Sequence, residues 1–263
     1  MITAGTGPAR TARPLKLLVA TAVRVLRQLR HDPRTIGLIL AIPVVLMALL
    51  YFMFQEVPHP PGQPDSFDRV GIVMLGILPF TTMFLITSIA MLRERKSGTL
   101  ERLLTTPLNR LELLGGYGLA FSAVAAVQAI LAVGTSYWLL GLELAGSIWW
   151  VFVIAMLDAM LGVGLGLLCS AFAQTEFQAV QFLPIVVIPQ LFLCGLFVAR
   201  DDLPGWMNVL SDFMPLTYAV QALQQVAAHT SATGLMWRDM GIVAACIVVA
   251  LALAAGTLSR RSP

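Results

Sequence analysis

Charged residues are scarce in this chain. Lysine, arginine, aspartate and glutamate make up 12% of the 263 residues, whereas hydrophobic residues make up 58% and the mean hydropathy is +0.83. A soluble domain usually carries about twice that charged fraction. The composition therefore argues against a soluble enzyme and indicates an integral membrane protein, in which long apolar runs are separated by short polar segments.

The residue patterns of common catalytic and metal sites are also missing. The three cysteines, Cys169, Cys194 and Cys246, all lie inside apolar runs, which excludes a disulfide scaffold or a zinc cluster. The sequence contains no G-x-x-x-x-G-K-[ST] loop for phosphate and no His-Glu-x-x-His motif. We therefore expect no catalytic residue, no metal site and no cofactor in this chain.

A glycine-rich stretch, "GVGLG" at 162–166, lies in the middle of an apolar run. A phosphate-binding loop would follow a strand, and none is expected here. Gly162 and Gly166 have the four-residue spacing of a small-residue helix face, so we interpret the stretch as a site of close helix packing.

Six apolar runs are long enough to cross a membrane as helices, because about 20 residues span the hydrocarbon core. They lie at about 35–54, 70–92, 114–140, 148–172, 177–199 and 239–258. The predicted fold class is therefore all-α, with six transmembrane helices in a single transmembrane domain that covers residues 1–263.

The basic residues are distributed unequally between the two sides of these spans. Seven precede the first span, five lie between the second and third, and two follow the sixth, whereas only Arg69, Arg200 and Arg238 fall on the other side. Basic residues concentrate on the cytoplasmic side of a membrane. Both termini and the loop after the second span are therefore predicted to be cytoplasmic.

Residues 15–32 precede the first span and show helical spacing of apolar residues. The opposite stripe contains Arg24, Arg27, Gln28 and His31, and Asp32-Pro33 ends the pattern. This arrangement predicts an interfacial helix that lies on the cytoplasmic leaflet. The alternative is a basic flank that only sets the topology.

The stretch "RERKSGTLERLLTTPLNR", residues 93–110, interrupts the apolar sequence with charge. Ser97 or Thr99 can cap a helix and Pro107 ends it. Its apolar stripe consists of Leu100, Leu103 and Leu104. We predict a short amphipathic helix over 97–106 that is presented to the cytoplasm for a binding partner. The alternative is a positive retention loop without a partner.

The segment "RERKSGTLERLLTTPL" resembles the signature R-E-x-x-x-G-T-L-E-x-L-x-x-x-P of ABC-2 type permeases, the membrane subunits of many bacterial ABC exporters. The resemblance covers nearly the whole chain. "LRHDPRTIGLIL" resembles the family's entry into the first span. The stretch from "QFLPIVVIPQ" to "MPLTYAVQAL" resembles its fifth span and the outer segment that follows.

This resemblance implies that residues 97–106 form the coupling helix, which seats in a cleft of an ABC ATPase subunit. The implied coupling residues are Glu94, Gly98, Thr99, Leu100, Glu101, Leu103 and Pro107. ATP and Mg²⁺ would bind the separate ATPase, and the chain itself would be a transport subunit rather than an enzyme. It would pair with itself or a sister permease, contact membrane lipids, bind no nucleic acid, and reside in the bacterial plasma membrane.

In relatives of known architecture, spans two and five face the central cavity. The residues that the resemblance places there are Phe80, Thr81, Phe84, Ser88, Gln181, Gln190 and Phe192. Such a partly aromatic wall suits an amphipathic drug or a lipid-like substrate, moved outward from the cytoplasm or the inner leaflet. Alternatively, these residues only pack helix against helix.

The outer segment between spans five and six is too apolar for a solvated loop. Residues 203–228 read as two short helices that each begin near a proline, at Pro204 and Pro215. We predict two short re-entrant helices that pack against protein, since irregular backbone cannot face lipid. The alternative is an amphipathic helix on the membrane surface.

Asp158 is an acidic residue near the centre of a span, where a charge costs about 2.5–3.5 kcal/mol on insertion scales. Its structural interpretation is a protonated group hydrogen-bonded to a neighbour such as Gln128. Its functional interpretation is proton coupling or the binding of a cationic drug.

Other functions remain alternatives to drug or lipid export. A polysaccharide or glycolipid exporter would use the same permease architecture. A membrane-embedded enzyme that modifies lipid would need several polar residues at one depth, and the sequence offers only Asp158 there.

The orientation can be tested with cysteines introduced into a chain whose native cysteines are replaced. Because the loop before Ser66 is predicted to lie outside, a cysteine at Ser66 should react with a membrane-impermeant maleimide added to intact cells. A cysteine at Ser97 should react only after the cells are opened. The opposite labelling pattern would overturn the orientation.

Overall fold

Helices form nearly all of the chain that is described. The computed structural model describes residues 14–58, 65–97 and 110–259, and these ranges contain nine α-helices and no strand. In chain order they are α1 (Pro14–Arg30), α2 (Pro33–Phe54), α3 (Ser66–Lys96), α4 (Arg110–Gly134), α5 (Ile148–Ser170), α6 (Glu176–Leu193), α7 (Gly205–Asp212), α8 (Pro215–Ala228) and α9 (Gly234–Ser259). A π-helical turn, Thr135–Leu139, extends α4, and a 3-10 turn, Arg200–Asp202, precedes α7.

Six of these helices are long and apolar enough to cross a membrane. They cover Pro33–Phe54, Ser66–Lys96, Leu113–Leu139, Ile148–Ser170, Glu176–Leu193 and Gly234–Thr257. The all-α fold with six candidate spans is thus confirmed, and the chain is a multi-pass membrane protein.

The boundary between α1 and α2 is set by a cap. The Asp32 carboxylate accepts hydrogen bonds from the Thr35 backbone N–H at 3.2 Å and from the Thr35 hydroxyl at 2.5 Å, and Pro33 follows at the first helical position. Both hydrogen bonds lower the pKa of Asp32 below its ordinary value, and the bond from the Thr35 hydroxyl has the larger effect.

Helix α6 is shorter than the apolar run 177–199 from which a span was predicted. It ends at Leu193, and Gly195 adopts a φ of +93°. A glycine in this left-handed region terminates a helix at little steric cost. The predicted span continued beyond Leu193 because the residues from Cys194 to Val198 are still apolar.

The closest helix packing joins α3 and α5. A Cβ atom added at Gly162 would lie 2.3 Å from the Phe80 carbonyl oxygen, and one added at Gly166 would lie 2.6 Å from the Phe84 carbonyl oxygen. The contact advances by four residues on both helices, so the two helices run parallel. The glycines let the backbones touch, as expected from their spacing.

Helix α1 packs against α4 along one face. A Cβ atom added at Gly116 would lie 2.6 Å from the Thr21 Cβ, and Thr21, Ala22 and Val25 are buried. The helix is therefore held by protein on one side. Its predicted position on the membrane surface stays a prediction.

The outer segment forms two short helices, as the pattern over 203–228 suggested. Helix α8 is packed against α3, α5 and α9, with Leu216, Val220 and Leu223 fully buried. Helix α7 instead exposes Trp206 and Val209, which fits the alternative of an amphipathic surface helix. The re-entrant position of either helix stays a prediction.

The α3–α5 contact can be tested by adding one methyl group. Gly162→Ala should lower the free energy of unfolding by about 1–3 kcal/mol, because the methyl group collides with the backbone of α3. Gly241→Ala in α9 is the control, since nothing lies within 4 Å of its added Cβ. Thermal unfolding in detergent would measure both. An unchanged melting temperature for Gly162→Ala would contradict the packing.

Candidate functional site

Three consecutive residues at the C-terminal end of α3 contact three different parts of the chain. Arg93 binds the start of α6, Glu94 binds α1, and the guanidinium of Arg95 donates to the Ser170 carbonyl at the end of α5. Arg93 to Arg95 lie directly before the predicted coupling helix. This junction is the first candidate functional site.

Most of the predicted coupling helix lies outside the described residues. This applies to Gly98, Thr99, Leu100, Glu101, Leu103 and Pro107. Their roles in binding an ATPase stay predictions. Glu94 is the one predicted coupling residue whose contacts are described.

Glu94 joins α1 to the end of α3. Its carboxylate accepts from the Arg24 guanidinium at 3.2 and 3.3 Å and from Gln28 Nε2 at 3.1 Å, and its side chain is only 12% exposed. Arg24 also donates to the Tyr117 hydroxyl of α4 at 3.3 Å. The polar stripe of α1 thus supplies two internal partners, Arg24 and Gln28, and does not only face the headgroups.

Arg93 forms the second connection. Its Nε and Nη2 each donate to a carboxylate oxygen of Glu176 at 2.9 Å, in the two-bond geometry that arginine and carboxylate favour. The Nη1 of Arg95 donates to the Ser170 carbonyl at 3.4 Å. Sequence analysis counted Arg93 and Arg95 as topology signals, and it could not identify partners about 80 residues away.

A groove lies beside this junction, between α1, α2, α3 and α4. Its volume is about 760 Å³. One end is polar and contains Gln28, Asp32, Arg93 and Glu94, and the rest is mainly apolar, with Leu38, Ile42, Leu85 and Ile86. A molecule with one polar end and an apolar body matches this distribution.

The residues predicted for a substrate cavity do not share one surface within a single chain. Thr81 lines the groove. Phe80, Phe84 and Ser88 are fully buried, and the backbone around them contacts α5 at its two glycines. Helical spacing in the sequence places Thr81, Phe84 and Ser88 on one face, but it could not show that α5 covers Phe84 and Ser88.

The other three predicted cavity residues belong to α6. Gln181 and Phe192 are exposed, whereas Gln190 is buried. Its amide nitrogen donates to the Val186 carbonyl at 2.8 Å, and its amide oxygen accepts from the Leu216 backbone N–H at 3.2 Å. In this chain Gln190 therefore links α6 to α8, and contact of all seven residues with substrate stays a prediction.

Asp158 is fully buried in α5, and neither carboxylate oxygen has a hydrogen-bond partner within the described ranges. A Cβ atom added at Gly76 of α3 would lie 3.4 Å from its Oδ2, so the glycine makes room for the acid. The suggested bond to Gln128 is wrong, because Gln128 Oε1 likewise has no partner in the described part of the chain and Gln128 Nε2 donates to the Ile39 carbonyl at 2.9 Å. The structural and functional interpretations of Asp158 both stay open.

A second polar network connects α7, α8 and the 3-10 turn that precedes them. The Arg200 guanidinium donates to Asn208 at 2.9 Å, to Gln221 at 3.0 Å and to Asp212, so it joins the 3-10 turn, α7 and α8. The Tyr218 hydroxyl donates to the Asp212 carbonyl at 2.7 Å, and burial raises the pKa of this tyrosine. Sequence analysis treated Arg200 only as an outer basic residue.

Comparison with known proteins identifies similar chains. Residues 16–227 match the family described as "ABC-2 type transporter". The chain is 23% identical to the "Probable multidrug ABC transporter permease YbhR" of Escherichia coli (strain K12) over 167 residues, which are 64% of this chain and 45% of that protein.

Two further relatives extend this similarity. The chain is 30% identical to the "Linearmycin resistance permease protein LnrN" of Bacillus subtilis (strain 168), over 52% of this chain and 36% of that protein. It is 23% identical to the "Putative transport permease ycf38" of Porphyra purpurea, over 85% of this chain and 80% of that protein. The match thus spans less than half of the E. coli and B. subtilis relatives.

The connection through Glu94 can be tested without any partner protein. Glu94→Gln should lower the free energy of unfolding by about 1.5–3 kcal/mol, since hydrogen bonds to charged groups contribute in this range. Trypsin should also cleave faster within α1, because this helix loses its ionic contact with α3. The control is Glu56→Gln at an exposed position. Equal cleavage rates for both variants would show that the ion pair does not hold α1.

Proposed function

Because the chain belongs to the ABC-2 type transporter family, we propose that it is the permease subunit of an ATP-driven exporter of amphipathic drugs or lipid-like molecules. The junction at Arg93 to Arg95 carries this proposal, since it ties the base of the predicted coupling helix to α1, α5 and α6. The names of two relatives, a multidrug permease and a linearmycin resistance permease, support the substrate class.

ATP hydrolysis would occur in a partner subunit. The 263 residues contain no G-x-x-x-x-G-K-[ST] loop, so we assign ATP and Mg²⁺ to a separate ABC ATPase. The apolar stripe of residues 97–106 would enter a pocket on that ATPase. Closure of the ATPase pair around ATP would then push on the end of α3.

The groove supports an amphipathic substrate. A substrate that enters from the cytoplasm or the inner leaflet would place its apolar body along α2 and α3, near Leu38 and Leu85. Its polar end would lie near Gln28 and Asp32 at the mouth. Burial of an apolar body supplies affinity, and the few polar groups supply orientation.

Assembly with a second permease completes the proposal. Helix α6 exposes Gln181 together with Phe177, Ile185 and Phe192. A polar amide and two helix-interrupting prolines suit a protein or water boundary better than lipid. We place two permeases around one cavity in the bacterial plasma membrane, with both termini in the cytoplasm and export directed outward.

The ATPase contact can be tested by placing a charge on the apolar stripe. Leu103→Asp should reduce the ATPase activity that co-purifies with the tagged chain from its native membrane by about tenfold or more, because an anchoring side chain at an interface contributes about 2 kcal/mol. ATP-driven uptake of the amphipathic dye Hoechst 33342 into inside-out vesicles should fall in parallel.

The matched control is Thr105→Asp, which adds the same charge away from the stripe of Leu100, Leu103 and Leu104. This variant should retain the ATPase. The proposed function is contradicted if Leu103→Asp inserts normally and still retains full ATPase activity and dye uptake.

A further inference from the structure

Helix α6 makes polar attachments to other helices at two separate places. At its cytoplasmic start, Glu176 binds Arg93, and Ala179 packs with Leu92 and Ala173 in a small apolar cluster. Near its outer end, the Gln190 amide accepts from the Leu216 N–H of α8. The attachment at Glu176, called the lower attachment below, is therefore made to α3. The attachment at Gln190, the upper attachment, is made to α8.

The part of α6 between these attachments contains Pro184 and Pro189. Proline has no backbone N–H, so the carbonyls of Val180 and Ile185 lose their helical hydrogen bonds. Prolines are also the commonest sites at which helices bend. One side of this middle part packs on the core through the buried Val187, whereas the other side is open, with Ile185 67% exposed, so the two prolines are where we expect this helix to bend.

The lower attachment joins α6 to the base of segment 98–109. Arg93 lies four residues before Ser97, and Arg95 holds the Ser170 carbonyl on the other side of the α5–α6 turn. The end of α3 therefore contacts both flanks of this turn.

The Arg93–Glu176 pair is suited to position a helix rather than to stabilise the fold. The two side chains are 62% and 49% exposed, and exposed ion pairs contribute little to stability. The two parallel N–H···O bonds nevertheless fix both distance and orientation.

We infer that Arg93 and Glu176 form a positioning joint, through which the lower part of α6, residues 176–183, follows the base of segment 98–109. A displacement of this base then bends α6 at Pro184 and Pro189, because Gln190 stays with α8. Gln181, on the moving part, changes its position relative to Gln190. The transport consequence rests on the proposed function, whereas the joint itself does not.

The joint can be tested on the purified chain in lipid nanodiscs by amide hydrogen exchange. Arg93→Gln and Glu176→Gln should each raise the exchange rate of residues 176–183 several-fold and leave residues 185–193 unchanged. The swap of Arg93→Glu with Glu176→Arg should restore slow exchange. The control is Arg30→Gln, which removes the same positive charge from an exposed position of α1.

A second measurement follows coupling in the complex purified with its ATPase. Hoechst 33342 should stimulate ATP hydrolysis less in each single variant, by about threefold or more, and the swap should recover the stimulation. This recovery separates a positioning role from general damage to the fold.

The outcomes distinguish the two proposals. If no ATPase accompanies the unsubstituted chain, the proposed function fails, and hydrogen exchange still decides on the joint. Unchanged exchange in both single variants, or a swap that restores nothing, overturns the joint. If the swap restores slow hydrogen exchange but Hoechst 33342 stimulates ATP hydrolysis in the single variants as strongly as in the unsubstituted chain, the joint has no part in coupling.

Discussion

The close approach of α3 and α5 is the constraint on which the other contacts depend. Inside a bilayer, apolar side chains gain little by leaving lipid for another helix, so association relies on tight packing. Gly162 and Gly166 supply it by letting the backbone of α5 touch the carbonyls of Phe80 and Phe84. Helix α3 thereby becomes the central element, and it also contacts α2, α4, α6 and α8.

This central position explains how three neighbouring residues reach three partners. Successive side chains on a helix point about 100° apart. The side chains of Arg93, Glu94 and Arg95 therefore extend in different directions from the same turn, toward α6, α1 and the end of α5. A helix at the edge of the bundle could not do this, since one side of its last turn would face lipid. The charged segment that interrupts the apolar sequence thus begins with a structural junction.

The sequence predicted the features that depend on local pattern. Run length identified six spans, and four-residue spacing identified the packing face at Gly162 and Gly166. The partners of Arg93 and Glu94 were missed, because they lie 83 and 70 residues away and depend on which helices become neighbours. For the same reason, periodicity placed Phe84 and Ser88 on one face without showing that α5 covers it. Gln128 was polar and at a plausible depth, yet its amide binds the Ile39 carbonyl.

Polar contacts decide which helices move together in such a bundle. An apolar helix surface can shift along its neighbour at a small cost in free energy, because lipid and leucine side chains are similar environments. A hydrogen bond between two helices instead requires a narrow range of distance and direction. In this chain the polar contacts of α6 lie near its two ends, at Glu176 and Gln190, and its two prolines lie between them. The contact at Gln190 continues through α8 to Arg200 and α7. A displacement of the C-terminal end of α3 therefore has a polar path into α6, and the part of α6 that contains the two prolines is where we propose that this helix bends.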